Sequence, residues 1–436
     1  NKDYIRAGIR ARDGINWLDD QVAIGIDTFG DGRYYVRFSA NPLGSIGDNK
    51  VDNKDDFDGS YNVEFDAKAR ITNLGYEVEF VIPFSSLNFP DTENQELTLM
   101  LSRKLYNKGT ESRYMNYAKI DGAGCIICQS NEIYSVENIV KKNKKRLIPS
   151  LTANSIRERN QDGDMIEEPV DSEVSLGGEY EFNGNNFEFT FNPDFSQVEA
   201  DQSKIDINST TALRFDERRI FFNEGKDFLS SDLSTVYTRS INDPEYALKL
   251  YNRGEKHSYY FLDAEDATTP IIIPGYQRSY SGLLGKSHAN IFSYNYNIEK
   301  GQNIGFLATN RDFEEGGNSA LYSLKGNFLF NDIYRTQFEL VSTDMDEPIS
   351  DVINTSNTSK EHTYNLDGES FSGYGGVFGL SRETEKWETR YYFATKSPNY
   401  RSDLGFTTEN DWKKHSLNQK YIYRSNGIVR SGNIEI

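Results

Sequence analysis

The residues best equipped for chemistry sit in one short stretch, Arg214 to Gly225, which reads RFDERRIFFNEG. Arg214, Arg218 and Arg219 stand against Asp216, Glu217 and Glu224 around Ile220, Phe221 and Phe222, so cations and carboxylates balance. Such a cluster can move protons, clamp an ionic ligand, or hold backbone in place. Charges taken out of water persist only when paired and hydrogen-bonded, and the balance here favours a structural charge knot, with a gate or ligand contact as the other reading. Cys125 and Cys128 form a Cys-x-x-Cys pair. One such pair is too few for a four-thiolate zinc site, and a βαβ redox context is lacking. A local disulfide is the plainer reading, with a metal or redox role as the alternative. Asp27 and Asp31 in DTFGDGR, and the acidic loop DNKVDNKDDFDG at 48–59, carry carboxylates that suit calcium. Neither has the regular calcium-loop spacing, so a structural Ca²⁺ at Asp27 and Asp31 stands beside the reading of solvated turns.

Catalytic readings find less support. His257, His288, His362 and His415 are scattered, and neither G-x-S-x-G nor H-E-x-x-H occurs. GLLGKS at 282–287 imitates a phosphate-binding loop, but Tyr280 stands where the first glycine belongs. Carboxylates are so abundant that any chosen glycosidase pair is arbitrary. The expectation is a protein with no catalytic residues, not an enzyme, and with no cofactor beyond the calcium just named.

These residues must be positioned by strands. The chain has 436 residues and a net charge of −19, which argues against nucleic acid as a partner. It holds 28 Tyr and 27 Phe against 4 Met and 2 Cys, and aromatic residues with abundant turn formers favour an all-β protein. No apolar run reaches the ~18 residues of a membrane helix, whereas a membrane strand needs only ~9–11 alternating residues. The chain opens on NKDYIRAGIRARDG and stops at SGNIEI inside an alternating run, which reads as truncation at both ends.

Residues 1–146 read as short strands with tight turns, a β-sandwich. QVAIGIDTF pairs with YYVRFSANP across GDGR, and VEFDAKARITN pairs with YEVEFVIPF. The basic run KKNKKR at 141–146 marks the boundary, as a solvated linker or a segment against anionic headgroups. In residues 147–436 the strands lengthen to ~10 residues, beyond the usual ~5–6. Phe187, Phe189 and Phe191 alternate with Glu188, Thr190 and Asn192, and Phe292, Tyr294, Tyr296 and Ile298 with Ile291, Ser293, Asn295 and Asn297. Tyr334, Phe338 and Leu340 oppose Arg335, Gln337 and Glu339, and Trp387, Tyr391 and Phe393 oppose Glu388, Arg390 and Tyr392. LFNDIY is a tight turn, while 343–370 reads as a long polar loop. Long strands, aromatic strand ends and turns that alternate with loops predict a transmembrane antiparallel β-barrel over a soluble sandwich.

NPDFSQVEAD at 192–201 followed by FDERRIFFNEGKDFL at 215–229 resembles the shared core of the DUF5916 family of bacterial outer-membrane proteins. The family's second motif usually reads like FPEKRPFFLEG; Asp216 and Ile220 depart from it, while Glu217, Arg219, Phe221, Phe222, Glu224 and Gly225 keep it. DTFGDGR at 27–33, NPLGSIGD at 41–48, VIPFSSLNFP at 81–90 and SPNYRSDLGF at 397–406 resemble other segments of that family, in family order. The resemblance implies a periplasmic β-sandwich similar to carbohydrate-binding module family 9, fused to an outer-membrane barrel of a Gram-negative bacterium. It implies membrane lipid, a glycan ligand and an envelope protein as partners, and it defines no activity. Sugar modules stack ring faces on aromatic side chains and read hydroxyls with polar ones; the candidates are Trp17, the single Trp of the first 140 residues, and Arg33. The expected function is binding or passage of a glycan or other ligand at the outer membrane. A non-transporting scaffold docking an envelope or secretion complex is one alternative, and a soluble glycan-binding or glycan-processing protein is another.

Overall fold

The computed structural model describes residues 4–15, 18–52, 57–59, 61–90, 92, 94–107, 110–116, 127–130, 132–137, 139, 145–154, 157–159, 165–167, 171–193, 211–299, 302–424 and 431–435, apart from 216, 218, 332, 360, 361 and 385. The chain is all-β, in several sheets.

The first unit contains β1 (Gln21–Asp27), β2 (Tyr34–Ala40), β3 (Ile46–Asp52), β4 (Phe57–Asp58), β5 (Asp66–Ile71), β6 (Tyr76–Val81), β7 (Asn94–Asn107), β8 (Thr110–Met115) and β9 (Ile133–Glu137). Its main sheet runs β4-β3-β2-β1-β7-β8, with β9 also on β7, and β5–β6 forms a separate hairpin. Both expected hairpins are present, β1 with β2 and β5 with β6. Period-2 alternation sends Val36, Phe38 and Ala40 to one face of the sheet, where they meet Phe65, Ala67, Leu87 and Phe89 in a sandwich-like core. The opposite face carries Tyr35, Arg37 and Ser39.

The second unit opens with β10 (Lys145–Asn154), whose first two residues belong to the basic run, followed by β11 (Arg157–Arg159), β12 (Met165–Glu167), β13 (Asp171–Phe182) and β14 (Asn185–Phe191). Then come β15 (Pro244–Arg253), β16 (His257–Asp266), β17 (Thr269–Gly275), β18 (Arg278–Leu284), β19 (Ser287–Glu299), β20 (Gln302–Phe313), β21 (Asn318–Phe330) and β22 (Tyr334–Asp346). The chain continues through β23 (Ile349–Ser350), β24 (Leu366–Asp367), β25 (Ser370–Glu383), β26 (Trp387–Lys396), β27 (Trp412–Arg424) and β28 (Ser431–Glu435). One 13-stranded sheet runs β10-β13-β14-β15-β16-β19-β20-β21-β22-β25-β26-β27-β28, antiparallel throughout, and closure of β28 onto β10 is not seen among the described residues. GLLGKS links the end of β18, in the separate β17–β18 pair, to the start of β19 in the large sheet, a strand-to-strand connection and not a strand-loop-helix. The expected long loop 343–370 is shorter than it reads, because β22 extends to Asp346 and the β23–β24 pair stiffens the rest.

Connections differ between the two ends of this sheet. At one end β13–β14, β15–β16, β19–β20, β21–β22 and β25–β26 are joined by tight turns. At the other end all links but β20–β21 are long, and the β14–β15 link, residues 192–243, is the longest.

The long strands turn an apolar row outward and keep their buried polar and charged side chains on the inner face. The outward row is paired strand to strand: Leu250 with Phe261, Phe261 with Phe292, Leu324 with Leu340, Phe338 with Phe378, and Phe378 with Phe393. These large side chains are not covered: Phe261, Phe292, Leu340, Phe378 and Leu417 remain exposed. The other face is buried and mixes apolar side chains such as Ile291, Leu307 and Val341 with polar and charged ones, Ser258, Ser293, Ser323, Lys249, Arg311 and Glu339 each being at most 2% exposed. An inside-out pattern of this kind needs something polar to fill the inner face.

Candidate functional site

The filling is residues 211–243, the C-terminal part of the β14–β15 connection. This segment lies on the inner face and is anchored from strand after strand. Lys249 of β15 donates to the carbonyls of Phe221 (2.5 Å) and Glu224 (2.9 Å) and pairs with Glu188 of β14 (2.8 Å). Ser293 of β19 donates to Phe228 O (2.9 Å), Arg311 of β20 to Ser240 O (3.0 Å), and Lys325 of β21 to Ser230 O (2.6 Å). Glu339 of β22 accepts from Ser231 Oγ (2.6 Å) and from Asp232 N (2.8 Å), and Lys396 of β26 donates to Leu233 O (3.3 Å). Strands from β15 to β26 reach one short segment, so the sheet curves around it. Phe222, Phe228, Leu229, Leu233 and Ile241 join Tyr260, Ile291, Leu307 and Val341 in a common core.

The charge cluster of the sequence is the head of this segment. Arg219, 1% exposed, donates through Nε and a terminal nitrogen to the two carboxylate oxygens of Glu217 (2.9 and 2.7 Å). It also donates to the carbonyls of Ile241 (2.6 Å) and Thr238 (2.9 Å), with its guanidinium 4.2 Å from the centre of the Phe222 ring. Thr238 Oγ1 donates a further bond to Glu217 (2.7 Å). Burial by itself raises the Glu217 carboxyl, but the Arg219 and Thr238 donors outweigh it and hold it below the ordinary carboxylate range. Arg214 stacks near Tyr237 and Phe406 and donates to Ser234 Oγ (3.1 Å), and Glu224 accepts from Tyr251 (3.2 Å). Asp216 and Arg218 lie outside the described residues. Gly225 turns the chain at φ +80°, where a Cβ would sit 3.0 Å from the Tyr260 ring. Every described ionic group here is committed to backbone or to a partner, an arrangement that holds structure and offers no free nucleophile or base.

The tip of the segment reaches the tight-turn end of the sheet and meets the sandwich-like unit. Asp227 forms ion pairs with both Lys50 of β3 and Arg253 of β15. Burial would raise Asp227, yet Arg253 and Lys50 together hold it well below the usual range. Lys50 and Arg253 lie 4.1 and 4.8 Å from the centre of the Tyr34 ring, and Asn88 donates to Glu224 (2.9 Å). Arg33, a sequence candidate for ligand binding, belongs to this contact: it donates to Ser258 Oγ (2.7 Å) and Gly254 O (3.3 Å) at the β15–β16 turn and pairs with Asp31. Asp27 is taken up by the N–H groups of Phe29, Gly30 and Gly32 at 2.9–3.0 Å, so it pins the turn that presents Arg33. A cavity of about 890 Å³ lies between this contact and the head of the segment, lined among others by Lys50, Asp58, Arg214, Glu217, Asp227 and Tyr237.

A second cavity, of about 290 Å³, occupies the non-core face of the main sandwich sheet. Register builds it as a grid. Gln21 lies opposite Lys104, Ala23 opposite Ser39 and Ser102, Gly25 opposite Arg37 and Met100, and Arg37 opposite Asn49. The floor is Gly25, where a Cβ would come within 2.8 Å of Tyr35 and 2.9 Å of Met100. Arg37 donates to Gln21 (2.7 Å), and the Asn49 side-chain oxygen is buried there with no protein donor. Asp13, Phe57 and Gly59 border both cavities. The sequence reading missed Gln21, Arg37, Asn49 and Lys104, although polar residues alternating with apolar ones in QVAIGID and YYVRFSA mark the face that is not core. Trp17 and Cys125 lie outside the described residues, as does the Cys128 side chain, so neither the tryptophan nor the disulfide candidate has a place in this geometry.

No protein-family model matches the chain, and no curated protein matches it.

Proposed function

We propose that this chain is the body of an outer-membrane β-barrel protein whose interior is occupied and whose periplasmic sandwich binds a small hydroxyl-rich ligand. The observation that carries the reading is the exposed apolar row running strand to strand around a sheet whose inner face buries charge on the 211–243 segment. A sheet that keeps its charged groups paired on the inside and leaves its outside greasy suits lipid, and the tight-turn end then faces the periplasm with the sandwich. The filled interior favours binding over open passage. For the ligand, the 290 Å³ cavity offers the Tyr35 ring beside the Gly25 floor, the cations Arg37 and Lys104, and the orphaned Asn49 oxygen, a set that matches sugar hydroxyls. The resemblance to the DUF5916 family and to family 9 modules points the same way.

A second reading rests on the Lys50–Asp227–Arg253 cluster: a sandwich fastened to the interior segment is suited to a docking scaffold for an envelope partner. Two measurements test the proposal on the full chain. It is expected to need detergent or lipid to remain dispersed; a monodisperse detergent-free preparation overturns the barrel. Calorimetry against a panel of monosaccharides is expected to show binding that Arg37→Ala abolishes; silence across the panel shifts the sandwich to the docking role.

A further inference from the structure

At the long-connection end, far in sequence from both cavities, β22 leaves the sheet and the chain returns as β25. Three carboxylates gather where it leaves and returns. Among the described residues, Glu347, Asp367 and Glu369 bring one oxygen each to within 4.8 Å of one another. We propose that this trio is a calcium site that fastens the base of the 347–369 excursion.

The backbone fixes the trio before any ion is considered. Glu347 N donates to Glu369 O (3.0 Å), and Gly368, at φ +86°, makes the turn that sets Asp367 and Glu369 side by side. Gly317 packs so closely on residues 346–348 that a Cβ would stand 2.5 Å from Asp346 O, so Glu347 cannot drift. Residue 363 holds the other two acids: Thr363 N donates to Glu369 (2.9 Å) and its hydroxyl to Asp367 (2.8 Å).

An acidic cluster alone does not make a site, but Glu347 adds an independent sign. It is 5% exposed, and one of its carboxylate oxygens is buried with no hydrogen-bond partner. Its other oxygen accepts from Arg401 (2.6 Å), and that guanidinium is shared with Asp403 (2.9 Å). One arginine therefore faces two buried carboxylates, with Asp367 and Glu369 adding more negative charge nearby. An orphaned buried oxygen beside surplus carboxylates is what a hard cation satisfies. Calcium takes several carboxylate and carbonyl oxygens at ~2.3–2.6 Å in flexible geometry, whereas magnesium demands a near-ideal octahedron and keeps several waters, so an all-carboxylate trio suits calcium.

Titrating the purified full chain with calcium, followed by calorimetry and by terbium luminescence, is expected to reveal one saturable site. The double variant Asp367→Asn, Glu369→Gln should weaken it at least ~tenfold, since affinity follows the ligand charge count. Both residues are less buried than Glu347, so the variant should unfold in chelator at the same temperature as the parent and lose only the gain that calcium confers. Asp27→Asn should leave the titration unchanged. Absence of saturable uptake, equal uptake by the double variant, or loss that follows Asp27→Asn instead would overturn the assignment.

Discussion

Arg219→Met separates a structural role for the charge cluster from any other. The arginine is fully enclosed, donates twice to Glu217 and once each to the carbonyls of Ile241 and Thr238, and lies over Phe222. Methionine fills much of the same volume without these donors. What remains is a carboxylate, 2% exposed at its side chain, that keeps the Thr238 hydroxyl and the backbone N–H of residue 219 as donors. Removing one member of such a pair costs about 3–5 kcal/mol. That range is about two to nearly four powers of ten in the folding equilibrium. Urea unfolding of the chain in detergent, followed by tryptophan fluorescence, reads the change as a lowered midpoint. Glu217→Met placed on top should recover more than half of the loss, because a neutral pair of similar volume no longer strands a charge. A midpoint for Arg219→Met within the ~0.5 kcal/mol of an ordinary surface substitution would refute the reasoning. So would a double variant no better than the single.

Three further perturbations address the outer face, the latch and pH. Leu340→Arg, in the middle of the exposed apolar row, should cost ~2–4 kcal/mol of folding into lipid vesicles, and Ser342→Arg, nearer the strand end, less; equal effects would argue against a membrane face. Asp227→Asn leaves Lys50 and Arg253 facing each other without a carboxylate, so limited proteolysis should separate the two units faster; an unchanged rate would show the latch is not needed. Because Asp227 is depressed, its contribution is present above the ordinary carboxylate range and fades only as pH falls below it, so the parent latch should hold at pH 5. Burial and Asp31 push Asp27 up to about 6 against its three N–H donors. The folded state then takes up a proton that the unfolded chain does not, so stability from this group is full below ~4 and is lost as pH rises through about 6. Asp27→Asn should flatten that slope in urea midpoints measured between pH 4 and 7; an unaltered slope would assign it elsewhere.

Much of the fold was legible because strand period is a local property. QVAIGID, YYVRFSA and the Phe187, Phe292 and Tyr334 strands alternate in sequence as they do in space, and the turn at Gly30–Arg33 announces its hairpin. The head of the interior segment was legible in part: equal numbers of Arg and acid around Phe221 and Phe222 implied a paired knot. Its location was not, because Arg219 meets Ile241 and Thr238 through long-range packing that no window reveals. The sandwich cavity went unread for a related reason. Gln21, Arg37 and Lys104 come from three strands, and only the β1–β2 and β1–β7 registers bring them together. The Glu347 trio hides likewise, since Glu347 and Glu369 flank an excursion that reads as featureless polar loop.

The geometry of the 192–243 connection also constrains how the molecule assembles. β14 and β15 are direct neighbours, so the chain departs from Phe191 and comes back at Pro244 on the same rim, after visiting Asp227 at the far rim. The segment is thus a doubled-back finger and not a thread. Because the chain leaves and returns on one rim, this topology lets the strands of the sheet pair before the segment packs on their inner face. Withdrawal toward the long-connection rim would break no ladder hydrogen bond, but it requires release of Asp227 from Lys50 and Arg253 and of every bond that Lys249, Ser293, Arg311, Lys325, Glu339 and Lys396 make to the segment.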